Sequence, residues 1–470
     1  MALTQNYNIG GINLYLNPLL KKDGECIRAV NVESTPYGAK TKRSGYSLFG
    51  GSAGVEVNSL FQFIKNNGTS NFLYKASGTT LQYANEGAGG TAWATCGNGT
   101  ITSGAHVDYA VLDDTLIICD GAGSTRHTTN GTTFTDTTGA PVAVSLEQYQ
   151  NRIYAAGTSS DLFYSTTGNA ADWSTTGTSD SSSLKIPGGG KLNKVFKQND
   201  RIIVTKNSNV MFKWDGYELV DMATNLAPTS PQSVSNVEDY AFWMNRLGMY
   251  GFGGNRPELL SNPVQPLIYN NSGSAIVGTI FDAIPSTVHR FDYLASIGTV
   301  TDDFTSETID NCVLNYNYQK NEFLTRSYYN NPTAYMSYKD RSGVQQLMFG
   351  DANGQCYEVS GTATSDNGNA IETVMEFIVH GGVPHLDKKW NSIYAFFNPG
   401  NRAKIQVAFS DTYVKDNLMW KEIGDCSSGV FYERFTEARS KFLYVKIYES
   451  SSNSQFSFYG FAVDSTPIAK

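Results

Sequence analysis

The feature that most constrains this chain is a repeat of about 35 residues built from short β-type runs. Gly, Asn, Asp or Ser interrupts each run, and no helical period replaces it. One copy consists of residues 149–157 followed by 162–165, and another of 197–204 followed by 210–216. Each has a polar turn, a strand, a tight turn and a second strand. A repeat of this length made of strands alone predicts an all-β fold containing a β-propeller.

Seven candidate modules of this kind lie in residues 51–365, which we predict to form the propeller platform. Insertions distort the fifth and sixth modules, so six to eight blades fit the pattern and seven is the favoured number. The predicted first and last strands of this series are residues 60–63 and 346–351.

Both flanks of the platform differ from it. Residues 366–470 contain longer strands with clean alternation, as in 441–448, and predict a C-terminal antiparallel β-sandwich domain. Residues 1–50 form an extended N-terminal arm with little alternating pattern. An arm this short buries no core of its own, so we expect it to pack on the platform or on a neighbouring subunit.

Charge and cysteine content exclude several classes of protein. The net charge is −8, and basic residues form no group larger than Lys40-Thr41-Lys42-Arg43, whereas sequence-independent DNA binding needs concentrated positive charge. The six cysteines form no CxxC pair and are predicted to be reduced and mostly buried. The N-terminus lacks a signal-peptide pattern and no run reaches about 18 apolar residues, so we expect a soluble protein without a membrane span, made in a cytoplasm.

No catalytic, cofactor-binding or metal-binding residue is predicted. HExxH and P-loop patterns are both absent. His380 and His385 could ligate a metal from one loop, but they lack cysteine or carboxylate neighbours at a recognised spacing. We therefore expect no cofactor and no enzymatic activity.

Two carboxylate pairs are the strongest candidates for a glycosidase site, because such enzymes need two acids at a fixed separation. Asp113 and Asp114 form one pair, and Asp302 and Asp303 form the other. Both pairs lie in turn-like sequence, where Asp is favoured for conformational reasons. The sialidase pattern Ser-x-Asp-x-Gly-x-Thr-Trp is absent, and residues 164–169 only partly match it.

A polar stretch at 174–183 consists almost entirely of Ser, Thr, Gly and Asp. Two interpretations stay open, a flexible loop and a surface loop presented to a partner. The flexible loop is favoured.

Several stretches resemble tail structural proteins of short-tailed bacteriophages, the head-to-tail stabilisation or tail hub (nozzle) proteins. In the arm these are Gly-Gly-Ile-Asn at 10–13, Asn-Pro-Leu-Leu-x-x-Asp-Gly-Glu at 17–25, Val-Asn-Val at 30–32 and Lys-Arg-x-Gly-Tyr at 42–46. Further matches lie in the third module, at 150–154, 164–165 and 172–173, and near the end, at 456–461.

The resemblance implies a virion structural protein assembled in the host bacterial cytoplasm. Its copies would form a hexameric homo-oligomer ring below the portal and adaptor proteins, in contact with other tail proteins. The ring would retain packaged DNA and conduct it on ejection, without sequence-specific binding. The alternative is a propeller-fold tail protein that binds or degrades a host-surface glycan, and an extracellular lectin is disfavoured because no signal peptide is present.

Overall fold

The computed structural model describes residues 3–7, 9–15, 21, 24–51, 54–66, 70–270, 273–274, 282–301, 307–382, 384–400, 402–413, 415, 418–452 and 455–468. These residues form β-strands almost throughout, which confirms the predicted all-β class. The strands of the N-terminal arm are β1 (Leu3–Tyr7), β2 (Cys26–Val30), β3 (Val32–Ser34), β4 (Lys40–Lys42) and β5 (Tyr46–Phe49).

Five separate four-stranded antiparallel sheets follow the arm, and each is formed by four consecutive strands. Their strands are β6 (Val57–Ile64), β7 (Asn71–Ser77), β8 (Thr80–Asn85) and β9 (Ala94–Thr100); β10 (Asp108–Leu112), β11 (Thr115–Cys119), β12 (Arg126–Thr128) and β13 (Thr135–Asp136); β14 (Ala143–Tyr149), β15 (Arg152–Gly157), β16 (Asp161–Tyr164) and β17 (Ser182–Lys185); β18 (Leu192–Gln198), β19 (Arg201–Lys206), β20 (Val210–Trp214) and β21 (Leu219–Thr224); and β22 (Ser235–Val237), β23 (Tyr240–Asn245), β24 (Gly248–Phe252) and β25 (Glu258–Leu259).

Short helices and two larger sheets follow. Among the described residues, the helical turns are 3₁₀ segments at Glu86–Ala88, Pro231–Ser233 and Asn262–Val264 and an α-helical turn, α1, at Gln265–Ile268. The next strands are β26 (Tyr269–Asn270), β27 (Gly273–Ser274), β28 (Ser286–His289), β29 (Asp292–Thr301), β30 (Thr308–Asn317), β31 (Glu322–Ser327), β32 (Pro332–Lys339), β33 (Gln345–Asp351), β34 (Cys356–Val359), β35 (Ser365–Asp366) and β36 (Asn369–Ala370).

β28–β31 form a sixth four-stranded unit, and β32–β34 form a seventh that takes β5 of the arm as its fourth strand. Tight turns suit these meanders. Between β14 and β15, Gln150 and Asn151 both have positive φ, 46° and 59°. That pair of left-handed residues gives the hairpin a twist that matches its strands.

The seven units form a closed ring around an axis. The first strand of each unit lies against the first strand of the next, and β32 of the seventh unit lies against β6 of the first. Hydrogen bonds join successive units, in chain order: Val107 N to Ser59 Oγ at 2.7 Å, Ser145 Oγ to Asp108 Oδ2 at 2.6 Å, Lys197 N to Glu147 Oε2 at 3.1 Å, Asn236 Nδ2 to Lys197 O at 2.9 Å, Ser235 Oγ with Ser286 Oγ at 2.9 Å, His289 Nδ1 with Ser337 Oγ at 3.1 Å, and Thr333 Oγ1 to Val57 O at 2.7 Å.

The last part of the chain forms two further layers. Its strands are β37 (Thr373–Val379), β38 (Lys388–Phe397), β39 (Lys404–Ser410), β40 (Lys421–Asp425), β41 (Val430–Arg434), β42 (Arg439–Ser440), β43 (Phe442–Glu449) and β44 (Ser457–Pro467). β37, β43, β39 and β40 extend one sheet, whereas β44, β38, β41 and β42 lie in another with β1, β3 and β4. The sheets share one apolar core, in which the Phe377 ring lies 5.1 Å from Phe461 and 6.2 Å from Phe458.

The arm strand β2 connects the ring to these layers. It pairs in parallel with β31 of the sixth unit and antiparallel with β37, so one nine-stranded sheet runs from the ring into the C-terminal layers. The arm thus lies within the sheets of the molecule. The predicted domain boundaries at residues 50/51 and 365/366 stay predictions. The sheets of the molecule contain strands from both sides of each boundary.

Two further sequence predictions concern burial and membrane spans. All six cysteine side chains are buried, as predicted: Cys26, Cys96, Cys119, Cys312, Cys356 and Cys426. Within the described parts of the chain, no helix is long and apolar enough to span a bilayer.

Candidate functional site

The first strands of the ring surround a cavity of about 480 Å³, which we call the axial chamber. Strands from all seven units contribute to its wall, so its shape is set by the sheet framework rather than by loops. The lining residues are Leu60, His106, Asp108, Tyr109, Ala110, Val111, Leu146, Glu147, Gln148, Lys194, Phe196, Pro231, Gln232, Val234, Asn236, Ser286, Thr287, Tyr335, Met336 and Ser337.

An ion pair between two units lies in the chamber wall. The Lys194 ammonium is 2.8 Å from Asp108 Oδ2, and the side chains are only 14% and 11% exposed. The same oxygen accepts hydrogen bonds from Ser145 Oγ at 2.6 Å and Leu146 N at 3.1 Å. Burial alone would favour the neutral acid, but Lys194 and these donors outweigh it and hold the pKa of Asp108 below its usual value. Asp108 is therefore ionised at neutral pH and binds three consecutive units together.

Glu147 is the second carboxyl of the chamber, and its surroundings shift its pKa in the opposite direction from that of Asp108. Its two oxygens accept main-chain hydrogen bonds, one from Gln148 N at 3.0 Å and one from Lys197 N at 3.1 Å. Burial raises the pKa of Glu147 from 4.5 to about 7, even though these donors and Lys194 favour the ionised form. The two acids of this wall therefore differ in pKa, which is lowered for Asp108 and raised for Glu147.

A histidine completes the titratable groups of the chamber. His106 Nδ1 lies 2.8 Å from Ser59 Oγ and 3.1 Å from the carbonyl of Asn58. Burial lowers the pKa of His106, so the ring is neutral at pH 7. It contributes hydrogen bonding to the wall and no positive charge.

A second cavity of about 350 Å³ lies where several first strands begin. Its wall includes Glu56, Pro285 and Asn331, each immediately before a first strand of its unit, and Thr333 within β32. Gln232 lines both this cavity and the axial chamber. The second cavity therefore lies next to the chamber on the side where these strands start.

The basic triple of the arm is buried and paired. Arg43 makes a two-pronged contact with Asp366, with Nη1 2.7 Å from Oδ1 and Nη2 2.5 Å from Oδ2. Lys42 Nζ lies 2.6 Å from Glu449, and Lys40 Nζ lies 2.6 Å from Glu322. The partner acids belong to the sixth ring unit, to β35 and to β43, and none of the three basic side chains is more than 3% exposed. The triple is therefore a joint between parts of the molecule, which we call the arm joint.

A second group of charges supports this joint. The carboxylate of Glu376, on β37, is fully buried and lies 2.5 Å from Lys415 Nζ and 3.0 Å from Lys446 Nζ. Arg28 of β2 contacts Glu307, which also lies 2.7 Å from Lys415 Nζ. Burial disfavours ionised Glu376, but Lys415 and Lys446 outweigh it, so the pKa of Glu376 is lowered. The network links the arm to the C-terminal layers.

The carboxylate pairs considered from the sequence do not line the chamber. Asp113 is exposed in the turn between β10 and β11, with a left-handed φ of 50°. Asp114 Oδ1 accepts the main-chain N–H of Asn66 at 2.7 Å. Both residues lie in the turn between β10 and β11, as predicted, and Asp114 bonds to the preceding unit. Asp302 and Asp303 lie outside the described residues.

The histidine pair considered as a metal site lies just after β37. His380 follows β37 and His385 lies in the next turn, and the described residues contain no group of three or more metal-ligating side chains.

In the polar stretch at 174–183, Asp180 accepts hydrogen bonds from Thr167 N at 2.9 Å and Thr167 Oγ1 at 2.8 Å and also contacts Arg152. The stretch is thus fastened to its own unit and leads into β17.

The acids, the lysine and the amides of the chamber were missed from the sequence because nothing in their spacing brings them together. Asp108, Glu147 and Lys194 lie in three different units, and each is flanked by ordinary strand residues. Their shared place on the first strand of a unit was the only signal. It becomes informative once the units are aligned on their hairpins.

Comparison with known proteins assigns no family: no family model and no curated protein matches the chain. Among solved structures, it is similar to YCF48 from Cyanidioschyzon merolae, with 10% identity and a TM-score of 0.43 over 67% of this chain and 98% of that one. BBS1N, in complex with ARL6DN, is 12% identical with a TM-score of 0.45, covering 68% and 99%. BamB from Moraxella catarrhalis is 10% identical with a TM-score of 0.37, covering 76% and 97%. At these values the likenesses assign no function.

Proposed function

We propose that the seven four-stranded units are the blades of a seven-bladed propeller and that the C-terminal layers are a β-sandwich fused to it. The closed ring of first strands supports the first part, and the apolar core shared by two facing sheets supports the second. In this assignment β5 closes the last blade with a strand from the arm, which fastens the ring at its seam.

We further propose that the chain is a non-enzymatic structural component of a bacteriophage tail, a hub or nozzle protein that forms a ring with other copies of itself. The observation that carries the proposal is the arm joint. Within the Lys-Arg-x-Gly-Tyr stretch that resembles the tail family, Arg43 bonds to Asp366 and to the Ser327 carbonyl of the ring, and Lys42 bonds to Glu449 of the C-terminal layers. Rigid connection of two β-modules suits a protein that must keep its shape while pressurised DNA passes.

DNA would pass between copies in the assembled ring and not along the axis of one propeller. The axial chamber, with a volume of about 480 Å³, is too small for duplex DNA, whose major groove alone is about 12 Å wide. The net charge of −8 and the burial of the arm's basic residues both favour transit over binding.

The test is an electron cryo-microscopy reconstruction of the tail, with labelled protein to locate the chain. We expect one ring of several copies below the portal and adaptor proteins, with the propellers arranged around a DNA-wide opening. A single copy per tail, a trimeric fibre, or absence of the chain from purified particles would refute the proposal.

The rival function is hydrolysis of a host-surface glycan, and the chamber acids are its best support. Purified protein incubated with host polysaccharide should release no oligosaccharide. Release that disappears in Glu147→Gln, with folding unchanged by circular dichroism, would favour the enzyme. Asp113→Asn serves as the matched control, because Asp113 lies in an exposed turn.

A further inference from the structure

We propose that the axial chamber is a binding site for a neutral, hydroxyl-rich ligand of about the size of a monosaccharide. This inference goes beyond the structural role and does not depend on it, because the chamber belongs to a single chain. It requires recognition only, and no bond is made or broken.

The chamber has the size and construction of a ligand site. Its volume of about 480 Å³ lies within the range of about 300 to 1,000 Å³ found for small-molecule sites. Most of its polar side chains project from strands that are hydrogen-bonded into the ring. Groups held by strands keep their positions better than groups on loops, so little ordering free energy is lost on binding.

The wall offers both donors and acceptors. The Lys194 ammonium has three N–H donors and uses one on Asp108, and each oxygen of Glu147 has a further lone pair beyond its main-chain hydrogen bond. The side-chain amides of Gln148 and Gln232 make no hydrogen bond to any residue in the described part of the chain. Hydroxyl groups donate and accept at once, so a polyol satisfies such a mixed wall better than a purely donating or accepting ligand does.

Charge sets the ligand class further. The Asp108 carboxylate is offset by Lys194, while Glu147 adds a second carboxyl and His106 is neutral. The chamber therefore has a charge between zero and −1 around neutral pH. Phosphate, sulfate and acidic sugars are disfavoured by this charge, and neutral sugars are not.

An aromatic surface is available for the carbon face of a sugar ring. Tyr109 lines the chamber and is 39% exposed, and its ring stacks on Phe61 with centroids 4.7 Å apart and planes 17° apart. The stacking fixes the ring orientation, so Tyr109 presents a preformed apolar surface beside the polar wall.

The experiment is saturation-transfer NMR with the full chain and four probes at millimolar concentration: glucose, galactose, N-acetylglucosamine and glucuronic acid. We expect saturable binding of at least one neutral sugar and weaker binding of glucuronic acid. Absence of binding for all three neutral probes would overturn the proposal, and so would preferential binding of glucuronic acid.

Variants locate the site. Gln148→Leu keeps the size of the side chain, which makes no hydrogen bond to the described residues. The variant should therefore fold normally and lower the affinity about tenfold through the loss of one hydrogen bond to the ligand. The matched control is Gln455→Leu, at an exposed position in the C-terminal layers. Equal affinity in Gln148→Leu and the control would place the sugar elsewhere and overturn the proposal. Ring assembly should be unaffected by Gln148→Leu, which separates this test from that of the structural role.

Discussion

Three basic residues of the arm each bond to an acid that is far away in sequence. Lys40, Lys42 and Arg43 pair with residues that are 282, 407 and 323 positions distant. The sequence showed that no large basic cluster exists, but it gave no way to identify the partners, because the pairs form only when the sheets assemble. A short basic motif on a β-rich chain can therefore be a buried joint rather than a nucleic-acid site.

The first prediction concerns the Arg43–Asp366 pair. Arg43→Met leaves the Asp366 carboxylate buried without its guanidinium and should lower the free energy of unfolding by about 3–5 kcal/mol. Urea titration followed by tryptophan fluorescence measures it. The control is Lys404→Met, which breaks a pair whose side chains are 49% and 47% exposed, and which should cost less than about 1 kcal/mol. Equal losses in the two variants would contradict the assignment of a joint.

The second prediction concerns Glu147 and pH. Its pKa is about 7 in the folded chain against 4.5 as the reference, so the folded state binds the proton more tightly. Between these values the unfolded state releases its proton first, and stability falls as pH rises from 4.5 through 7. Over this pH range the wild type should lose at most about 3 kcal/mol of its free energy of unfolding, and Glu147→Gln should not show this loss.

Urea titrations at pH 4, 6 and 8 measure this difference between wild type and variant. Glu258→Gln, at an exposed position of β25, is the control and should follow the wild type at every pH. A stability difference between wild type and Glu147→Gln that is constant with pH would show that the carboxyl is not held in the protonated form by burial.

At the scale of elements, the predicted first and last strands of the repeat series lie inside observed strands for local reasons. Residues 60–63 belong to β6 and residues 346–351 to β33, because alternation and turn residues determine a hairpin within its own few residues. The partnerships of β2 and β5 were not predictable, because each pairs with a strand more than 290 positions away. Local patterns specify strands, and only the assembled sheets specify the neighbours of an arm.

Several first strands share a register shift that was not predicted from the sequence. β6, β14, β18 and β32 each shift register near their start, between residues 57 and 59, 143 and 145, 192 and 194, and 332 and 334. Ser145 and Lys194, both in the chamber's polar network, stand directly after such a shift. A bulge re-aims the side chain that follows it, which accounts for the positions of Ser145 and Lys194 beside Asp108.

The third prediction concerns β2 as the connecting strand. Ala29→Pro removes a main-chain N–H from a strand with neighbours on both sides and should disrupt the nine-stranded sheet. Hydrogen exchange with mass spectrometry should show faster exchange in β31 and β37. Ser183→Pro, in the outermost strand β17, is the control and should leave both strands protected. Unchanged protection in Ala29→Pro would mean that the C-terminal layers hold to the ring without β2.

At the scale of the whole molecule, the fourth prediction concerns DNA. With a charge of −8 and its densest basic group buried in ion pairs, the intact chain should not retard duplex DNA in a gel shift at physiological salt. A retarded complex whose affinity falls steeply with salt would show that the protein grips DNA through surface cations. The expected result agrees with a tail protein that lets DNA slide past.

The fifth prediction concerns contacts between copies. The outer face of the sheet formed by β38, β41 and β44 carries exposed aromatic rings: Phe396 at 38%, Tyr432 at 50% and Tyr459 at 50%. Exposed aromatic groups of this kind favour subunit contacts. Tyr432→Lys should leave the monomer folded, as judged by its melting temperature, and block its incorporation into tails. Normal incorporation would exclude this face as a subunit contact.

The pairing of β5 with β34 and of β1 with β44 also orders events during synthesis. A ribosome that has made residues 46–49 must add about 300 more before their partner strand exists, and residues 3–7 wait until 461–465 are made. The strands of the arm therefore stay unpaired while the middle units fold from local hairpins. Ring closure should be a late and slow step, set by the length of chain between the partners. A nascent chain stalled before residue 356 should therefore bind chaperones through this arm.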